Sequence, residues 1–416
     1  FQAEDGIRDS VASRGLGDVY KRQEIVSFHM PNIYLDHNAT TPLRAEVFAA
    51  MEPFFKDRYG NASSIHRFGQ DARSAVEEAR AQVAGLVNGR PSEIYFTSGG
   101  TESDNLALKG IAYTRRKIGR HIITTTIEHS AVLNSCAFLE REGYDVTYLP
   151  VDKYGRVEPD QVAEAISSQT ILISIMHANN EIGTVQPVKE IGHIAREKGV
   201  CFHTDAVQSA GKLHIDVNEL QVDLLSISGH KIYGPKGVGA IYIRQGVEIE
   251  PTNHGGHHEN DVRSGTENTV GIVGLGEAAE LAFKERENEC RHLEKMRNAL
   301  EERIRREIEE VRVNGHPVWQ LPGTLNVSFP GAEGESLIMS LDLEGIAVST
   351  GSACSSGAIE PSHVLLALGR DPQSALSSVR FSFGRDNKLQ DVDYVMNKLT
   401  GIVSRLRELS SVTVAG

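Results

Sequence analysis

Short apolar runs alternate with helical stretches over the middle of the chain, and this alternation limits the possible folds more than any other feature. The strand-like runs lie at 93–97, 121–126, 146–149, 171–176, 200–203, 224–227 and 238–243. Helical stretches separate the earlier runs, and one is predicted at about 70–87. Buried strands that are separated by helices are typical of a mostly parallel sheet covered on both faces. The sequence therefore predicts an α/β fold with a seven-stranded, mostly parallel sheet.

The pattern changes after about Thr269. A helix is predicted there, followed by a long charged helix from about Glu285 to Glu310 and by shorter strands near 324–329 and 379–383. A chain of 416 residues is long enough for two cores. We therefore expect a large domain over 45–288, a smaller α+β domain over 289–416, and an N-terminal segment, 31–44, that packs with the small domain.

The first thirty residues differ from the rest of the chain. They have neither strand alternation nor an apolar helix face, and glycines interrupt them at Gly6, Gly15 and Gly17. Residues 1–23 also resemble the translated adaptor sequence that contaminates some assembled reads. We expect residues 1–30 to be a disordered extension or in part an artefact.

Charge and cysteine content exclude several functional classes. The net charge of -13, without a basic stripe, argues against nucleic acid as a partner, and no apolar run approaches the roughly 20 residues that cross a bilayer. The four cysteines form no CxxC pair and no zinc spacing, so neither a disulfide framework nor a structural metal is expected. With no signal-peptide pattern at the start, a cytoplasmic location is favoured.

A polar, glycine-rich loop between two strand-like runs contains Lys231. Most lysines are solvated surface charges, but Lys231 follows a strand and lies beside Ser228 and His230 in sequence. Functional groups gather on the loops at the strand ends of α/β sheets. Lys231 is therefore a candidate catalytic amine.

Two further segments indicate a phosphate-bearing cofactor. Asp205 ends a strand-like run, where it either caps a helix or pairs with a protonated ring nitrogen. The turn at 98–101, Ser-Gly-Gly-Thr, opens a predicted helix, and its backbone N–H groups suit a phosphate.

In this order, the phosphate turn, the strand-end aspartate and the later lysine resemble the fold-type I pyridoxal-phosphate (PLP) enzymes. Longer motifs are similar to those of NifS/IscS-type cysteine desulfurases: Thr-Glu-Ser-Asp-Asn at 101–105, Asn-Asn-Glu-Ile-Gly at 179–183, Ser-Gly-His-Lys-Ile-Tyr-Gly-Pro-Lys-Gly at 228–237, Arg-Ser-Gly-Thr at 263–266 and Gly-Ser-Ala-Cys at 351–354. The resemblance covers the chain from Ile33 onward.

The resemblance implies a role for each matching residue. Lys231 would hold PLP covalently and shuttle protons, and His129 would stack on the ring and assist. Asp205 would bind the ring nitrogen and Gln208 the phenolic oxygen. The remaining assignments place Gly100, Thr101, Ser228 and His230 around the phosphate, Thr266 of a second subunit at the same phosphate, Asn180 at the cofactor and the substrate, and Arg380 at the substrate carboxylate. The assignment of Thr266 to the phosphate of a second subunit implies a homodimer.

Cys354 lies in a run of small residues, 349–358, that has little apolar surface to anchor it. We expect a mobile loop whose thiol takes sulfur from L-cysteine as a persulfide and leaves L-alanine. An iron–sulfur scaffold or another acceptor would then receive the sulfur, and Cys354 would contact a cluster only during transfer. Cys136, Cys201 and Cys290 are interpreted as small buried hydrophobes.

Alternatives stay open at this point. A selenocysteine lyase would use the same site, an aminotransferase would have no use for Cys354, and a catalytically silent scaffold would not need Lys231.

Many relatives have an Arg-Gly pair where Asn260 and Asp261 follow Glu259, so the resemblance does not predict the conformation of this loop or its contacts. The nearby His254, His257 and His258 lack helical metal-ligand spacing, so solvated histidines are favoured over a metal site.

Overall fold

The structure is a computed structural model that describes residues 32–350 and 360–414. Two predictions lie outside the described residues: the extension over 1–30, and the loop that carries Cys354.

The described strands form three sheets. The strands are β1 (Ile33–Tyr34), β2 (Ile94–Thr97), β3 (His121–Thr125), β4 (Asp145–Leu149), β5 (Thr170–Ser174), β6 (Cys201–Asp205), β7 (Leu224–Ser228), β8 (Gly239–Ile243), β9 (Arg312–Asn314), β10 (Thr324–Ser328), β11 (Ile346–Ala347) and β12 (Ser378–Ser382). The largest sheet has seven strands in the order β2-β8-β7-β6-β5-β3-β4. Only β8 in it runs antiparallel to its neighbours. The predicted α/β fold with a mostly parallel seven-stranded sheet is confirmed.

Some of the described helices cover both faces of this sheet. The helices are α1 (Ala45–Lys56), α2 (Arg67–Leu86), α3 (Gly100–Arg115), α4 (Ser130–Arg141), α5 (Pro159–Ala165), α6 (Val188–Lys198), α7 (Thr269–Glu307), α8 (Gly334–Asp342), α9 (His363–Ala367), α10 (Pro372–Leu376) and α11 (Leu389–Val414). Consecutive strand residues point to opposite faces: Ile241 packs in the core under α3, and Tyr242 packs in the core under α2 and α6. This two-sided burial explains why apolar residues occupy both faces of the central strands. No helix of the described ranges is long and apolar enough to span a membrane.

Helix α7 corrects one prediction. Two helices were expected after Thr269, but a single helix of 39 residues runs through the region. The glycines of α7 do not interrupt the helix. They let atoms of neighbouring helices pack closely against it. A Cβ on Gly274 would lie 2.6 Å from Sδ of Met51, and one on Gly276 would lie 2.6 Å from Cα of Ala79.

A second core lies around the three-stranded antiparallel sheet, whose order is β12-β10-β9. Val327 and Phe381 of this sheet pack with Leu300 of α7 and with residues of α8 and α11. Strand β1 pairs in parallel with β11 beside this sheet, and Asp36 forms a bridge to Ser382. Because α7 crosses residue 288 without a break, the domain boundary at that position stays a prediction.

Candidate active site

A cavity of about 340 Å³ lies at the edge of the large sheet where the parallel strands end. Strand β8 is antiparallel to both β2 and β7, so β2, β6 and β7 all end at this edge. Ligands of α/β sheets bind at such carboxyl ends. Ten residues predicted for the site line the cavity: Gly100, Thr101, His129, Asn180, Asp205, Gln208, Ser228, His230, Lys231 and Arg380.

The tight turn from β2 into α3 forms one end of the cavity. Gly99 has φ +152°, a conformation that favours glycine, and a Cβ on Gly100 would lie 2.6 Å from Cγ2 of Val207. The first amides of a helix have no acceptor within the helix, and the helix dipole favours an anion there. Ser228, His230 and Lys236 line an adjoining cavity beside this turn. The arrangement suits a phosphate group.

Asp205 ends β6 and is 7% exposed. Its Oδ1 accepts a hydrogen bond from the amide of Val207 at 2.8 Å. Residues 207–212 form turns, so the interpretation of Asp205 as a helix N-cap is wrong. Burial raises the pKa of Asp205, while the nearby His129 and Lys231 oppose the rise. A buried carboxylate of this kind would be stabilised by a cationic N–H group in the cavity.

His129 precedes α4 and caps it. Its Nδ1 accepts a hydrogen bond from the amide of Ala131 at 3.1 Å. When the imidazole is neutral, its proton is therefore on Nε2.

Buried polar residues form a layer beneath Asp205. Asp104 lines the cavity, and its Oδ1 has no hydrogen-bond partner in the part of the chain that the structure describes. It lies 3.6 Å from Nε2 of His203, which also contacts Ser226 at 3.0 Å. Burial and the neighbouring Asp205 raise the pKa of Asp104 well above its usual range, and burial lowers the pKa of His203 to about 3.

Lys231 lies in a short 3-10 turn after β7. Its Nζ donates to the backbone carbonyls of Asn38 at 2.5 Å and Ala39 at 2.7 Å. Burial lowers the pKa of Lys231 to about 7, and the positive charges of Lys212 and Arg380 act in the same direction. Near neutral pH, a large fraction of this amine is thus unprotonated and nucleophilic.

Arg380 reaches the cavity from β12 of the smaller sheet. Its Nη1 donates to the carbonyl of Asn180 at 2.9 Å, and its Nη2 donates to Oδ1 of Asp36 at 2.6 Å. Its Nε is buried and has no hydrogen-bond partner among the described residues. A planar guanidinium held in this way can present donors to a carboxylate.

Thr266 does not line the cavity of this chain and is exposed. The segment before it is held close to the phosphate turn by Arg263, whose Nε donates to Oε1 of Glu102 at 2.8 Å. Glu259 holds the loop that contains Asn260 and Asp261. It is buried, pairs with both terminal nitrogens of Arg80 at 2.8 Å, and accepts from the amide of Phe96 at 2.8 Å.

Three histidines, His254, His257 and His258, lie near this loop. In the described ranges, no group of three or more His, Cys, Asp or Glu residues is arranged to hold a metal ion. His257 instead lies 2.6 Å from the carboxylate of Asp261.

Three cysteines belong to the described residues. Cys136 and Cys201 are buried, as predicted, whereas Cys290 is only partly buried and donates to the carbonyl of Lys212 at 2.8 Å. Burial raises the pKa of Cys136 to about 12 and that of Cys290 to about 11, and it also raises the pKa of Cys201. These thiols are therefore poor nucleophiles. Cys354 lies outside the described residues.

Some cavity residues were not predicted. Asn38, Asp104 and Ser349 line the cavity from three separate segments. Asp104 belongs to the Thr-Glu-Ser-Asp-Asn motif, so that motif could have indicated it. Asn38 contributes a backbone carbonyl, for which the residue type gives no signal.

The comparisons with known proteins agree with this geometry. Residues 33–395 match the family described as Aminotransferase class-V. The chain is 51% identical to a cysteine desulfurase IscS of Dictyoglomus turgidum, over 91% of this chain and 96% of the relative. It is 53% identical to a cysteine desulfurase IscS of Methanosarcina thermophila, over 94% and 96% of the two chains.

Solved structures are also similar. A NifS-like protein superposes with a TM-score of 0.85 at 41% identity, covering 90% of this chain and 99% of that one. A structure described as SspA in complex with cysteine has a TM-score of 0.76 at 40% identity, covering 85% and 99%. The chain belongs to the class-V aminotransferase family and, within it, to the NifS/IscS-type cysteine desulfurases.

Proposed function

We propose that this protein converts L-cysteine to L-alanine and leaves the sulfur as a persulfide on Cys354. The observation that carries the proposal is that Lys231, Asp205, Arg380 and the N terminus of α3 line one cavity. The reaction balances, because L-cysteine and the Cys354 thiol give L-alanine and a Cys354 persulfide.

The residues of the cavity fit PLP, the cofactor of this family. Gly100, Thr101, Ser228 and His230 would hold its phosphate, Asp205 its ring nitrogen, Gln208 its phenolic oxygen, and His129 and Asn180 its ring. The buried carboxylate of Asp205 and the close-packed glycine turn support this fit. When bound, PLP supplies an electron sink for the charge left at Cα of the substrate.

Lys231 would bind the cofactor and move protons at the substrate. Its lowered pKa supports both roles, because a neutral amine attacks a carbonyl carbon and also accepts a proton near neutral pH. Its amine is held between two backbone carbonyls, which restricts where it can point.

Arg380 and Asn180 would orient the substrate carboxylate. Nη1 and Nη2 of Arg380 each use one N–H group on Asn180 and Asp36, so each keeps a second N–H group that can bind a carboxylate. Fixing the carboxylate positions Cα and the sulfur of the substrate relative to the reacting groups.

Cys354 would attack the substrate sulfur as a thiolate. The S–S bond forms as the C–S bond of the substrate breaks, and Cβ of the product takes a proton. His129 would assist proton transfer through Nε2, which carries the proton of the neutral ring because Nδ1 accepts from the amide of Ala131.

We also propose a homodimer in which Thr266 of each chain reaches the phosphate site of the other. Thr266 is exposed in a single chain, and apolar side chains on and around α1 and α2 are exposed as well: Phe48, Phe55, Ile65 and Phe68. An apolar face of this kind is typical of a subunit interface. The domain division at residue 288 belongs to this proposal too, with Lys231 in the larger domain and Arg380 in the smaller one.

The persulfide would pass to an iron–sulfur scaffold or another acceptor protein. We propose a cytoplasmic location, because a cysteine that cycles between thiol and persulfide needs a reducing compartment.

Two substitutions test the proposed reaction, with Cys290→Ala as the matched thiol control. Wild type and the control should release alanine from L-cysteine and gain one sulfur atom on the peptide that contains Cys354. Lys231→Ala should do neither, and Cys354→Ala should lose the persulfide and most alanine release. Unchanged alanine release by Cys354→Ala would overturn the proposal, and turnover of selenocysteine alone would favour a selenocysteine lyase.

A further inference from the structure

A second lysine lies next to the cavity, behind Gln208. Lys212 is partly buried in the turns that follow β6, and its Nζ donates to Oε1 of Gln208 at 3.3 Å. Gln208 itself is buried and lines the cavity. Lys212 does not line the cavity, so it would act there only through Gln208 or through its charge.

Hydrogen bonds connect the two lysines. Nε2 of Gln208 donates to the carbonyl oxygen of Asn38 at 2.8 Å, and Nζ of Lys231 donates to the same oxygen at 2.5 Å. The connection therefore runs from Lys212 through Gln208 to the carbonyl of Asn38, where Lys231 meets it. Residues of the N-terminal segment, the turns after β6 and the turn after β7 are joined in this way.

The contacts with Lys212 and with the carbonyl of Asn38 both fix the orientation of the Gln208 carboxamide. An ammonium group has donors and no acceptor, so only the oxygen of Gln208 can face Lys212. The NH₂ group must then face Asn38. One of its two N–H groups is used on the Asn38 carbonyl, and the other is left for an acceptor in the cavity.

Charged groups on several elements act on the two amines. Burial lowers the pKa of Lys231 most, Lys212 and Arg380 of β12 lower it further, and Asp205 of β6 and Asp36 of the N-terminal segment raise it. Burial lowers the pKa of Lys212 to about 8, Glu289 and Cys290 of α7 raise this pKa, and Arg380 lowers it.

We propose that Lys212 is a positioning residue of this site: it holds Gln208 as a hydrogen-bond donor toward the cofactor oxygen, and its positive charge, connected to Lys231 through Gln208 and the carbonyl of Asn38, weakens proton binding by Lys231. The inference rests on the proposed function. It adds a residue that contacts neither the cofactor nor the substrate.

The test measures the protonation of Lys231 in the full chain freed of cofactor. Trace acetylation across a pH series, followed by peptide mass spectrometry, gives the pH midpoint at which Lys231 reacts. In Lys212→Met the midpoint should rise by about one pH unit, because a nearby like charge has been removed. Lys212→Arg should restore the wild-type midpoint. Lys189→Met removes an exposed lysine that pairs with Glu219 and should not move it.

A second measurement tests the orientation of Gln208. The dissociation constant for PLP, measured by equilibrium dialysis, should rise about tenfold in Lys212→Met, which corresponds to one lost hydrogen bond of about 1.4 kcal/mol. Lys212→Arg should recover most of this affinity.

An unchanged Lys231 midpoint in Lys212→Met, or a changed one that Lys212→Arg does not restore, would overturn the inference. Acetylation does not depend on turnover of cysteine. Failure of the proposed function is therefore seen separately, as a wild-type protein that releases no alanine.

Discussion

Nη2 of Arg380 donates to Oδ1 of Asp36 at 2.6 Å, and this ion pair connects strand β12 to the N-terminal segment at the edge of the cavity. The side chain of Arg380 is 4% exposed, whereas that of Asp36 is 20% exposed. The pair holds one terminal nitrogen of the guanidinium, and the carbonyl of Asn180 holds the other. Asp36 therefore sets the direction in which Arg380 can bind a substrate carboxylate.

Asp36→Asn should raise the KM for L-cysteine about tenfold with a smaller effect on kcat. The substitution replaces a charged acceptor by a neutral one, and hydrogen bonds to charged groups contribute about 1.5–3 kcal/mol. Steady-state alanine formation provides the measurement, and Asp71→Asn, at an exposed ion pair with Arg58, is the control. An unchanged KM would show that Asp36 does not orient Arg380.

Glu128→Gln should make the stability of the cofactor-free protein less dependent on pH. Glu128 is buried, accepts from the hydroxyl of Thr125 at 2.6 Å, and has its pKa raised to about 8 by burial. A carboxyl whose pKa is raised on folding stabilises the fold below its unfolded pKa of about 4.5, and this contribution is lost as the pH rises through about 8.

Between pH 5 and pH 8, wild type should therefore lose roughly 3–4 kcal/mol of unfolding free energy that the Gln variant keeps. Urea unfolding at both pH values measures the difference. Glu52→Gln, an exposed partner of Lys56, should follow wild type. Parallel pH profiles for wild type and Glu128→Gln would mean that Glu128 is ionised in the folded protein.

Gly239→Ala should destabilise the protein and weaken PLP binding together. A Cβ on Gly239 would lie 2.6 Å from Cα of Gly99 and 2.6 Å from the carbonyl oxygen of Ile227, both backbone atoms that cannot move aside alone. We expect a loss of about 2 kcal/mol of unfolding free energy and about a tenfold weaker affinity for PLP, since Gly99 belongs to the phosphate turn.

The matched control is Gly85→Ala in helix α2. A Cβ there meets nothing within 4 Å, so this variant should be as stable as wild type or more stable by about 0.5–1 kcal/mol. Denaturant unfolding and equilibrium dialysis with PLP check both variants. If Gly239→Ala is destabilised but binds PLP with wild-type affinity, the packing of β8 against Gly99 does not determine the phosphate site.

Glu259→Ala should cost about 3 kcal/mol of unfolding free energy. It would leave Arg80, whose side chain is 11% exposed, without its main partner, and the amide of Phe96 without an acceptor. Glu77→Ala removes the exposed partner of the same arginine and should cost less than about 1 kcal/mol. Equal losses in the two variants would contradict a structural role for the Glu259 loop.

The sequence predicted the sheet well because its strands are buried on both faces. Apolar runs such as those that contain Leu224 and Ile241 are visible without any knowledge of tertiary contacts. The continuity of α7 was not predictable in the same way. Whether Gly274 and Gly276 interrupt a helix or allow close packing depends on Met51 and Ala79, which are far away in sequence.

Some residues of the site could be predicted from the sequence and others could not. Lys231 could be predicted from its glycine-rich motif and Asp205 from its position at the end of a strand, whereas Arg380 was expected from the family resemblance. Asn38 could not, because it acts through its carbonyl oxygen. Lys212 was missed because it acts through Gln208, and only the folded chain brings its Nζ to that side chain.

Helix α7 contributes side chains to both hydrophobic cores, with Leu275 in the core of the large sheet and Leu300 in that of the small sheet. At about 1.5 Å per residue, its 39 residues form a rod of about 58 Å. Neither core can melt without removing apolar side chains from a helix that the other core also needs. The two halves of the protein, and with them the groups on opposite sides of the cavity, should therefore unfold as one cooperative unit.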